Sequence, residues 1–490
     1  MTEGAVIEKR KFSAIDKWAY AAGDFGCNMS FALKNLITIF YTLYIGLDPS
    51  IVAIIILILN IWDGVNDPIV GAIMDNFKPK KGKSKFRPFI FWGSFALAVS
   101  GALVFLPIPT APTSIKIIAM VAGYFVWDLA YTVVNVPYGS MASVITDDPV
   151  QRSALSKYRT IGAMIANLPV QILLPMLIYK DRLDESGNVI YNNGTKVQDF
   201  LGLNVFFIAL GLGVIGLLSF LFYLKYTVER VEPAHKEVKE KANILKVFGS
   251  FFKNRAAVGL TIASMFSLIM MQGLTTAITI VYKDFFGKAD LSGVISMIAY
   301  LPMIGIVFFV DPIVKKFGKQ LASGYPAIVG VVAGLLMAFV PIKNDMVGLV
   351  FFVVCQVLIT ASLAVFSVIG WAMVADCIDY QEIQTGHREE GTVYAVYSLG
   401  RKFAQGIGAS VVLFIMGLIG FVSAENGVTP VQTPETVQNI KVMIGLVFAI
   451  SCLLVFVSII FIYNISKEKV KEMQIKLGRV NDIHTEHPED

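Results

Sequence analysis

The chain has 490 residues, of which 56% are hydrophobic and only 16% are charged. Its mean hydropathy of +0.67 excludes an ordinary soluble protein, because soluble chains carry more charge. The net charge of +5 is spread over separate loops, which argues against nucleic-acid binding and indicates an integral membrane protein. The four cysteines have neither metal nor disulfide spacing, so we predict no resident metal and no cofactor.

Twelve apolar windows follow one another along the chain, each near the 20 or so residues that a membrane-spanning helix needs. They lie near 18–46, 50–76, 88–107, 114–144, 155–179, 201–225, 256–282, 290–312, 320–341, 346–375, 392–421 and 438–464. A charged segment separates the sixth window from the seventh. The sequence therefore predicts an all-α integral membrane protein with 12 transmembrane helices in two six-helix bundles.

The predicted organisation has four parts, and the basic residues orient it. The parts are an N-terminal bundle (1–226), a cytoplasmic linker (227–255), a C-terminal bundle (256–464) and a cytoplasmic tail (465–490). Lysine and arginine are abundant in the linker, the tail and the loop after the second window, whereas the opposite loops "PIPTAPTS" and "SAENGVTPVQTPETVQ" contain neither. The positive-inside rule then places both termini in the cytoplasm of a multi-pass cell-membrane protein.

The second window carries two carboxylates in the segment "NIWDGVNDPIVGAIMDN". Asp63 and Asp67 lie one helical turn apart on one face, with Asn66 beside them. A charge at the bilayer centre costs about 2.5–3.5 kcal/mol on insertion scales, so such residues face a partner or a wet cavity. Paired carboxylates with an amide oxygen suit Na⁺, another small cation or a shared proton. The alternative is that both acids form ion pairs with basic residues of other helices.

Further polar residues in the apolar windows have the chemistry that recognises a carbohydrate. Carboxylates and guanidinium groups bind hydroxyls, and aromatic rings cover the apolar face of a sugar. The predicted substrate-binding residues are Asp24, Asp128, Asn135, Arg159, Lys402, Tyr131 and Trp127. Thr132 lies on the same face of its helix as Asp128. The alternatives are that Trp127 packs inside the bundle and that Asp128 forms an ion pair there.

A second charged group lies at the predicted cytoplasmic ends of the helices. We predict that it forms a gate locking the two bundles together in an outward-open state. Its residues are Asp75, Arg87, Asp376, Asp379, Glu382 and Arg388. Exposed ion pairs are individually weak, so a lock requires a network, and a solvated charged loop is the alternative.

Several motifs together resemble one family. "YAAGDFGCN", "NIWDGVNDPIVGAIMDN", "KSKFRPF", "YTVVNVPYGS", "YRTIGA" and "MVADCIDYQE" resemble the glycoside–pentoside–hexuronide:cation symporter family of the major facilitator superfamily, to which the melibiose carrier belongs. The resemblance runs from residue 18 to about 464. It implies that Asp63 and Asp67 bind the coupling cation with Asn66 and Thr132 beside them. It also implies that Asp24 contacts sugar hydroxyls and that Arg159 and Lys402 lie near both sites.

The resemblance also has departures. Asn135 and Gly139 stand where the melibiose carrier has an aspartate and a tryptophan that hold the galactoside. The form "VNVPYG" is more similar to the xyloside, isoprimeverose and glucuronide branches, so a substrate other than a galactoside is implied. Asp128 replaces a small residue of the melibiose carrier, and its predicted role therefore rests on its chemistry alone.

These observations predict a secondary active symporter, and not an enzyme, that imports a sugar or glycoside with Na⁺ or H⁺, Li⁺ being a further possible coupling ion. The expected partners are this small molecule, a monovalent cation and the lipid bilayer of a bacterial cell, with the protein as a monomer. One alternative is an uncoupled facilitator or exchanger. Others are a cation-coupled lipid carrier of related fold and a membrane sensor that binds a ligand without transporting it.

Overall fold

In a computed structural model of the protein, residues 10–77, 79, 84–146, 148–231, 251–386 and 390–477 are described. These residues are mostly helical, as predicted. The first half consists of α1 (Ala14–Phe31), α2 (Lys34–Leu43), α3 (Pro49–Asn76), α4 (Arg87–Leu103), α5 (Thr113–Ile145), α6 (Pro149–Ile178) and α7 (Gly202–Tyr226).

The second half is more often interrupted. It consists of α8 (Arg255–Leu268), α9 (Thr275–Ile280), α10 (Ser292–Gly305), α11 (Val310–Gly324), α12 (Ala327–Phe339), α13 (Met346–Ser362), α14 (Ala364–Thr385), α15 (Glu390–Leu418), α16 (Pro434–Val457) and α17 (Lys467–Lys476). Single π-helical turns lie at Ile269–Gly273, Val281–Phe285 and Ser458–Ile462, and a 3₁₀ turn lies at Ile306–Phe308.

Helical structure covers each of the twelve predicted windows. Nine helices in the described ranges are long and apolar enough to cross a membrane, and two shorter apolar helices accompany them. The first window is not one helix, because a turn at residues 32 and 33 separates α1 from α2. Within α11, Gly318 has a φ of 77°, which only glycine adopts easily, and it marks the boundary between the eighth and ninth windows. The number of crossings stays a prediction.

The long polar loop between α6 and α7 contains four short strands that the sequence did not predict. Strands β1 (Tyr179–Asp181) and β4 (Gln198–Phe200) pair antiparallel, as do β2 (Tyr191–Asn192) and β3 (Thr195–Lys196). Asn193 and Gly194 join β2 to β3 with φ angles of 49° and 78°. An Asn-Gly pair with both φ angles positive is a preferred hairpin turn, which gives this "NNGT" stretch a structural role.

Side chains and loops of the two halves bond to one another at one end of the molecule, which we call the outer side; the described chain ends lie at the other, inner side. Gln198 donates to Asp290 at 3.0 Å, and Arg182 donates to the carbonyl of Thr429 at 2.7 Å. Ser423 donates to the carbonyl of Leu47 at 2.7 Å, and the backbone of 424 bonds to that of 42. These contacts, the outer bridge, close the outer side.

Helices α3 and α15 run antiparallel across the boundary between the halves. Two glycines of α15 allow close contact, since a Cβ on Gly417 would lie 2.9 Å from Ser50 Oγ and one on Gly406 would lie 2.4 Å from Asn60 Cβ. Small residues at a helix interface let backbones approach closely in a membrane. This packing carries the middle of α15 against the acidic segment of α3.

Candidate functional site

The two acids of α3 face basic residues of two other helices. Asp63 Oδ2 lies 3.2 Å from Lys34 Nζ at the start of α2, and Asp63 Oδ1 lies 4.0 Å from Lys402 Nζ of α15. Lys402 Nζ also contacts Asp67 Oδ2. The side chains of Asp63 and Asp67 keep 25% and 37% of their surface exposed, so neither is sealed from solvent.

Behind these pairs, a buried hydrogen-bonded chain joins α3 to α5. Asn66 Nδ2 donates to Asp128 Oδ2 at 3.2 Å and to Thr132 Oγ1 at 3.0 Å. Thr132 Oγ1 in turn donates to Asp67 Oδ1 at 3.2 Å. Asn66 Oδ1 is buried and accepts no hydrogen bond within the described part of the chain. An unsatisfied buried carbonyl oxygen is costly, and it is the kind of ligand that a small hard cation prefers.

We call this group the carboxylate cluster. It consists of Lys34, Asp63, Asn66, Asp67, Asp128, Thr132 and Lys402. With all its acids ionised, the cluster holds three negative and two positive formal charges, which leaves one negative charge unbalanced. Like charges at this spacing in a low dielectric repel strongly, so the cluster attracts one further cation or a proton.

The second polar group joins α1 to α6. Arg159 Nε donates to Asp24 Oδ1 at 2.7 Å, and Asn28 Nδ2 donates to Asp24 Oδ2 at 2.9 Å. Asn167 Nδ2 donates to Asn28 Oδ1 at 2.8 Å. Asp24 itself is buried, whereas 43% of the Arg159 side chain is exposed. The pair therefore presents the guanidinium to any polyol that reaches it, with the carboxylate behind it.

The glycine before Asp24 has a packing role. A Cβ on Gly23 would lie 2.3 Å from the ring of Tyr138, so only glycine lets this ring approach α1. The ring of Tyr138 lies 5.4 Å from the guanidinium of Arg159, and its hydroxyl donates to the carbonyl of Tyr20 at 2.8 Å. The "GDF" motif thus fixes the aromatic support of Arg159.

The remaining predicted substrate-binding residues do not share one environment. Trp127 is buried, with its Nε1 donating to Ser30 Oγ at 2.8 Å, so the packing alternative describes it. Tyr131 stacks on Trp127 at 6.0 Å. Asn135 is half-buried, and its side chain makes no hydrogen bond to another described residue. Asp128, together with Lys402, belongs to the carboxylate cluster and not to the group around Asp24.

Two cavities lie between the halves, on the outer side of the carboxylate cluster. The first, the central cavity, has a water-accessible volume of about 60 Å³, and its polar lining includes Lys34, Asn35, Asn60, Gln272, Thr276 and Gln405. The second has about 280 Å³, and its polar lining includes Asn35, Asn167, Gln171, Thr275, Thr279 and Ser296. Amide and hydroxyl groups from both halves thus surround a space next to both polar groups.

The predicted gate is not assembled among the residues that the structure describes. Asp376 pairs with Lys319 at 2.7 Å inside the second half, and Arg87 bonds to the carbonyl of Thr227 at 3.1 Å inside the first. Asp379 and Glu382 lie near the end of α14 and are half-buried. The side chain of Asp75 and all of Arg388 lie outside the described residues. A structure closed at its outer side is not the state for which the gate was predicted, so the gate stays a prediction.

From the sequence, no role was assigned to some residues of the site. Lys34 is a charge in an apolar window, but its partner Asp63 is 29 residues away. Asn28 lies one turn after Asp24, and Asn167 lies about two turns after Arg159, which is a spacing that could have indicated both. The packing of separate helices decides the remaining partners.

Two helical halves around a polar, charged midpoint define a membrane transporter of the major facilitator type and not an enzyme. Residues 19–467 match the family model described as MFS/sugar transport protein, and the chain belongs to this family.

Relatives and solved structures agree with this assignment. The chain is 28% identical over 490 residues to the uncharacterized symporter YjmB of Bacillus subtilis (strain 168), covering 98% of this chain and 97% of that one. It is 28% identical over 464 residues to a glucuronide carrier protein homolog of Escherichia coli (strain K12), covering 94% of each. A bacterial homologue of the iron transporter ferroportin, solved in an inward-facing state, aligns with a TM-score of 0.62 at 13% identity, covering 93% of this chain and 100% of that one.

Proposed function

We propose that the protein is a secondary active symporter that takes up a sugar or glycoside together with Na⁺ or H⁺. The uptake cycle alternates between openings on the two sides of the membrane, and the cation and the sugar bind between the halves. The proposal further places the protein in a bacterial cell membrane as a monomer, with its inner side in the cytoplasm. Names of relatives that contain "symporter" and "glucuronide carrier" support it.

The observation that carries the cation part is the unsatisfied oxygen of Asn66 beside two carboxylates. Asn66 Oδ1, Asp67 Oδ1 and Thr132 Oγ1 belong to one hydrogen-bonded group, and they supply the oxygen ligands that Na⁺ needs. A proton would instead neutralise one of the three carboxylates. Either cation removes the excess negative charge, and its binding competes with the contact between Lys402 and Asp67.

The sugar part rests on Asp24, Arg159 and the two cavities. Hydroxyl and amide groups in their lining suit the hydroxyls of a polyol, and apolar side chains such as Leu36 and Leu174 of the second cavity suit its apolar face. Asp24 on α1 and the acids of the carboxylate cluster on α3 and α5 all belong to the first half, so binding at one site can change the affinity of the other. By linkage, the cation and the sugar then tighten each other by the same factor.

One observation favours a second candidate, an uncoupled facilitator or exchanger. Both acids of α3 already have lysine partners, and permanently paired carboxylates would bind no cation. Counterflow of sugar that is indifferent to every ion gradient would support this candidate.

The proposal is tested with the purified full chain in proteoliposomes. Labelled glycosides are offered with an inward Na⁺ gradient, an inward proton gradient or neither, at a fixed inside-negative potential. We expect accumulation above the external concentration with one of the two gradients. Exchange without accumulation under all three conditions would favour the uncoupled candidate, and no flux of any glycoside would contradict both.

A disulfide between the halves tests alternating access separately. We expect the double variant Ser50→Cys/Gly417→Cys to lose at least about 90% of its uptake after oxidation and to regain it on reduction, because the outer ends of α3 and α15 must part in each cycle. The single variants are the controls, and the four native cysteines are buried. Full uptake by the oxidised, cross-linked protein would contradict rocking of the two halves.

A further inference from the structure

One face of α15 points between the halves. Gly400 and Gly408 of this helix contact α8 and the π turn that follows it, and Gly406 contacts α3. The face between these two contacts carries Arg401 and Gln405, which are one turn apart, and Gln405 lines the central cavity. Arg401 therefore lies on the cavity face, one turn closer to the inner side.

An aromatic shelf holds the guanidinium of Arg401. Its central carbon lies 5.4 Å from the ring of Trp371 and 5.6 Å from that of Tyr397. Trp371 stacks on Tyr394 with ring centroids 5.3 Å apart, and these two side chains are 45% and 53% exposed. Tyr394 lies two turns before Arg401 on the same face of α15. Half-exposed rings beside an arginine on a cavity face form a surface that a ligand can reach.

Arg401 differs from the other basic residues of the site because it forms no ion pair with any described residue. Lys34, Lys402 and Arg159 each contact a carboxylate, whereas Arg401 donates only a long 3.4 Å bond to the hydroxyl of Tyr397. A guanidinium inside a membrane is expensive unless it is paired. Its planar donors match a carboxylate in a two-point contact.

The formal charges of the site point the same way. Around the cavities, four acids (Asp24, Asp63, Asp67 and Asp128) meet four bases (Lys34, Arg159, Arg401 and Lys402), so their formal charges cancel. One bound coupling cation then leaves a single positive charge in a low dielectric, where it is costly. A substrate with one negative charge would restore neutrality.

We infer that Arg401 is a specificity-determining residue that binds the anionic group of a glycoside with one negative charge, with Trp371 and Tyr394 covering its ring. This inference rests on the proposed function and adds to it the charge of the substrate and the residue that selects it. Because the charges of one cation and one such substrate cancel, their joint uptake moves no net charge across the membrane, apart from any movement of the protein's own charges.

The test compares two glycosides that differ only at C6, methyl β-D-glucuronide with a carboxylate and methyl β-D-glucoside with a hydroxymethyl group. We expect the unmodified protein to prefer the glucuronide. Arg401→Gln should lower kcat/KM for the glucuronide about 10- to 100-fold, as the loss of a charge-assisted hydrogen bond does. Uptake of the glucoside by Arg401→Gln should stay within about twofold of that by the unmodified protein, because its hydroxymethyl group carries no charge to pair with the guanidinium.

Controls separate this role from folding. Arg401→Lys, which keeps the charge but not the fork of donors, should retain part of the preference. Arg255→Gln changes an arginine of the same half that bonds to the carbonyl of Phe461 and should leave both activities unchanged. An inside-negative potential should accelerate uptake of the glucoside but not of the glucuronide.

The failures are distinguishable. Uptake of the glucoside without a preference for the glucuronide, or equal losses of both in Arg401→Gln, would overturn this inference and leave the proposed function standing. If the unmodified protein takes up neither of these compounds and no other glycoside, both this inference and the proposed function are overturned.

Discussion

We expect an Asp63→Asn variant to lose ion-driven accumulation of substrate while it still exchanges substrate across the membrane. The change removes one of three carboxylates, so the cluster no longer carries an excess negative charge and its affinity for the coupling cation should fall by at least about 100-fold. The group around Asp24 is left intact, which is why exchange should continue. The measurement is the ratio of internal to external labelled substrate under the active gradient, beside counterflow at equal concentrations.

A second change separates coupling from simple charge pairing. Asp63→Asn alone leaves Lys34 without its 3.2 Å partner, and an unpaired charge inside a membrane protein lowers stability. The double variant Lys34→Met/Asp63→Asn removes both charges, which restores the excess negative charge of the cluster but not the carboxylate of Asp63. It should recover the melting temperature but not the accumulation, because the cation then still lacks that carboxylate beside it. If the double variant again concentrates substrate, Asp63 serves only as a partner of Lys34, and the ion-pair interpretation of α3 holds.

The second large effect is expected at Asp24. Asp24→Asn keeps the size of the side chain but removes the negative charge that Arg159 contacts at 2.7 Å. A site built to bond hydroxyl groups discriminates strongly when its polar groups are left unpaired, so substrate affinity should fall by about 100-fold or more. Substrate binding is measured by titration calorimetry with the purified protein.

Binding of the coupling cation provides the internal control for Asp24→Asn. The cation site lies on α3 and α5, so the cation should still raise the melting temperature of this variant as it does for the unmodified protein. Asp181→Asn, at a half-buried outer position paired with Lys196, is the matched change and should bind substrate normally. Substrate binding by Asp24→Asn within twofold of normal would contradict the assigned role.

The sequence identified the acids of α3 because charges inside an apolar window are exceptional and need a physical reason. It could not identify their partners, since Lys402 lies 335 residues after Asp67 and meets it only through the antiparallel packing of α3 and α15. The sequence could not identify the partner of Asp128 either. Helical spacing put it on one face with Thr132, but only the position of α3 decides that this face meets Asn66.

Local chemistry was predicted less well on the outer side. No structure was predicted for the stretch "NNGT", whereas its Asn-Gly pair is a hairpin turn between β2 and β3. Periodicity also predicted one first span, because the turn between α1 and α2 interrupts no apolar run. Helix breaks of this kind depend on contacts with other helices, so the residues next to the break in the sequence do not indicate them clearly.

The outer bridge has a consequence for the cell. In the proposed orientation, an outer side that several hydrogen bonds hold closed leaves the carrier to open towards the cytoplasm. Sugar that has just been delivered can then enter again before the empty carrier turns back. We therefore expect exchange of internal for external sugar to be faster than net uptake. Growth on this sugar is then limited by how quickly the first intracellular enzyme consumes it.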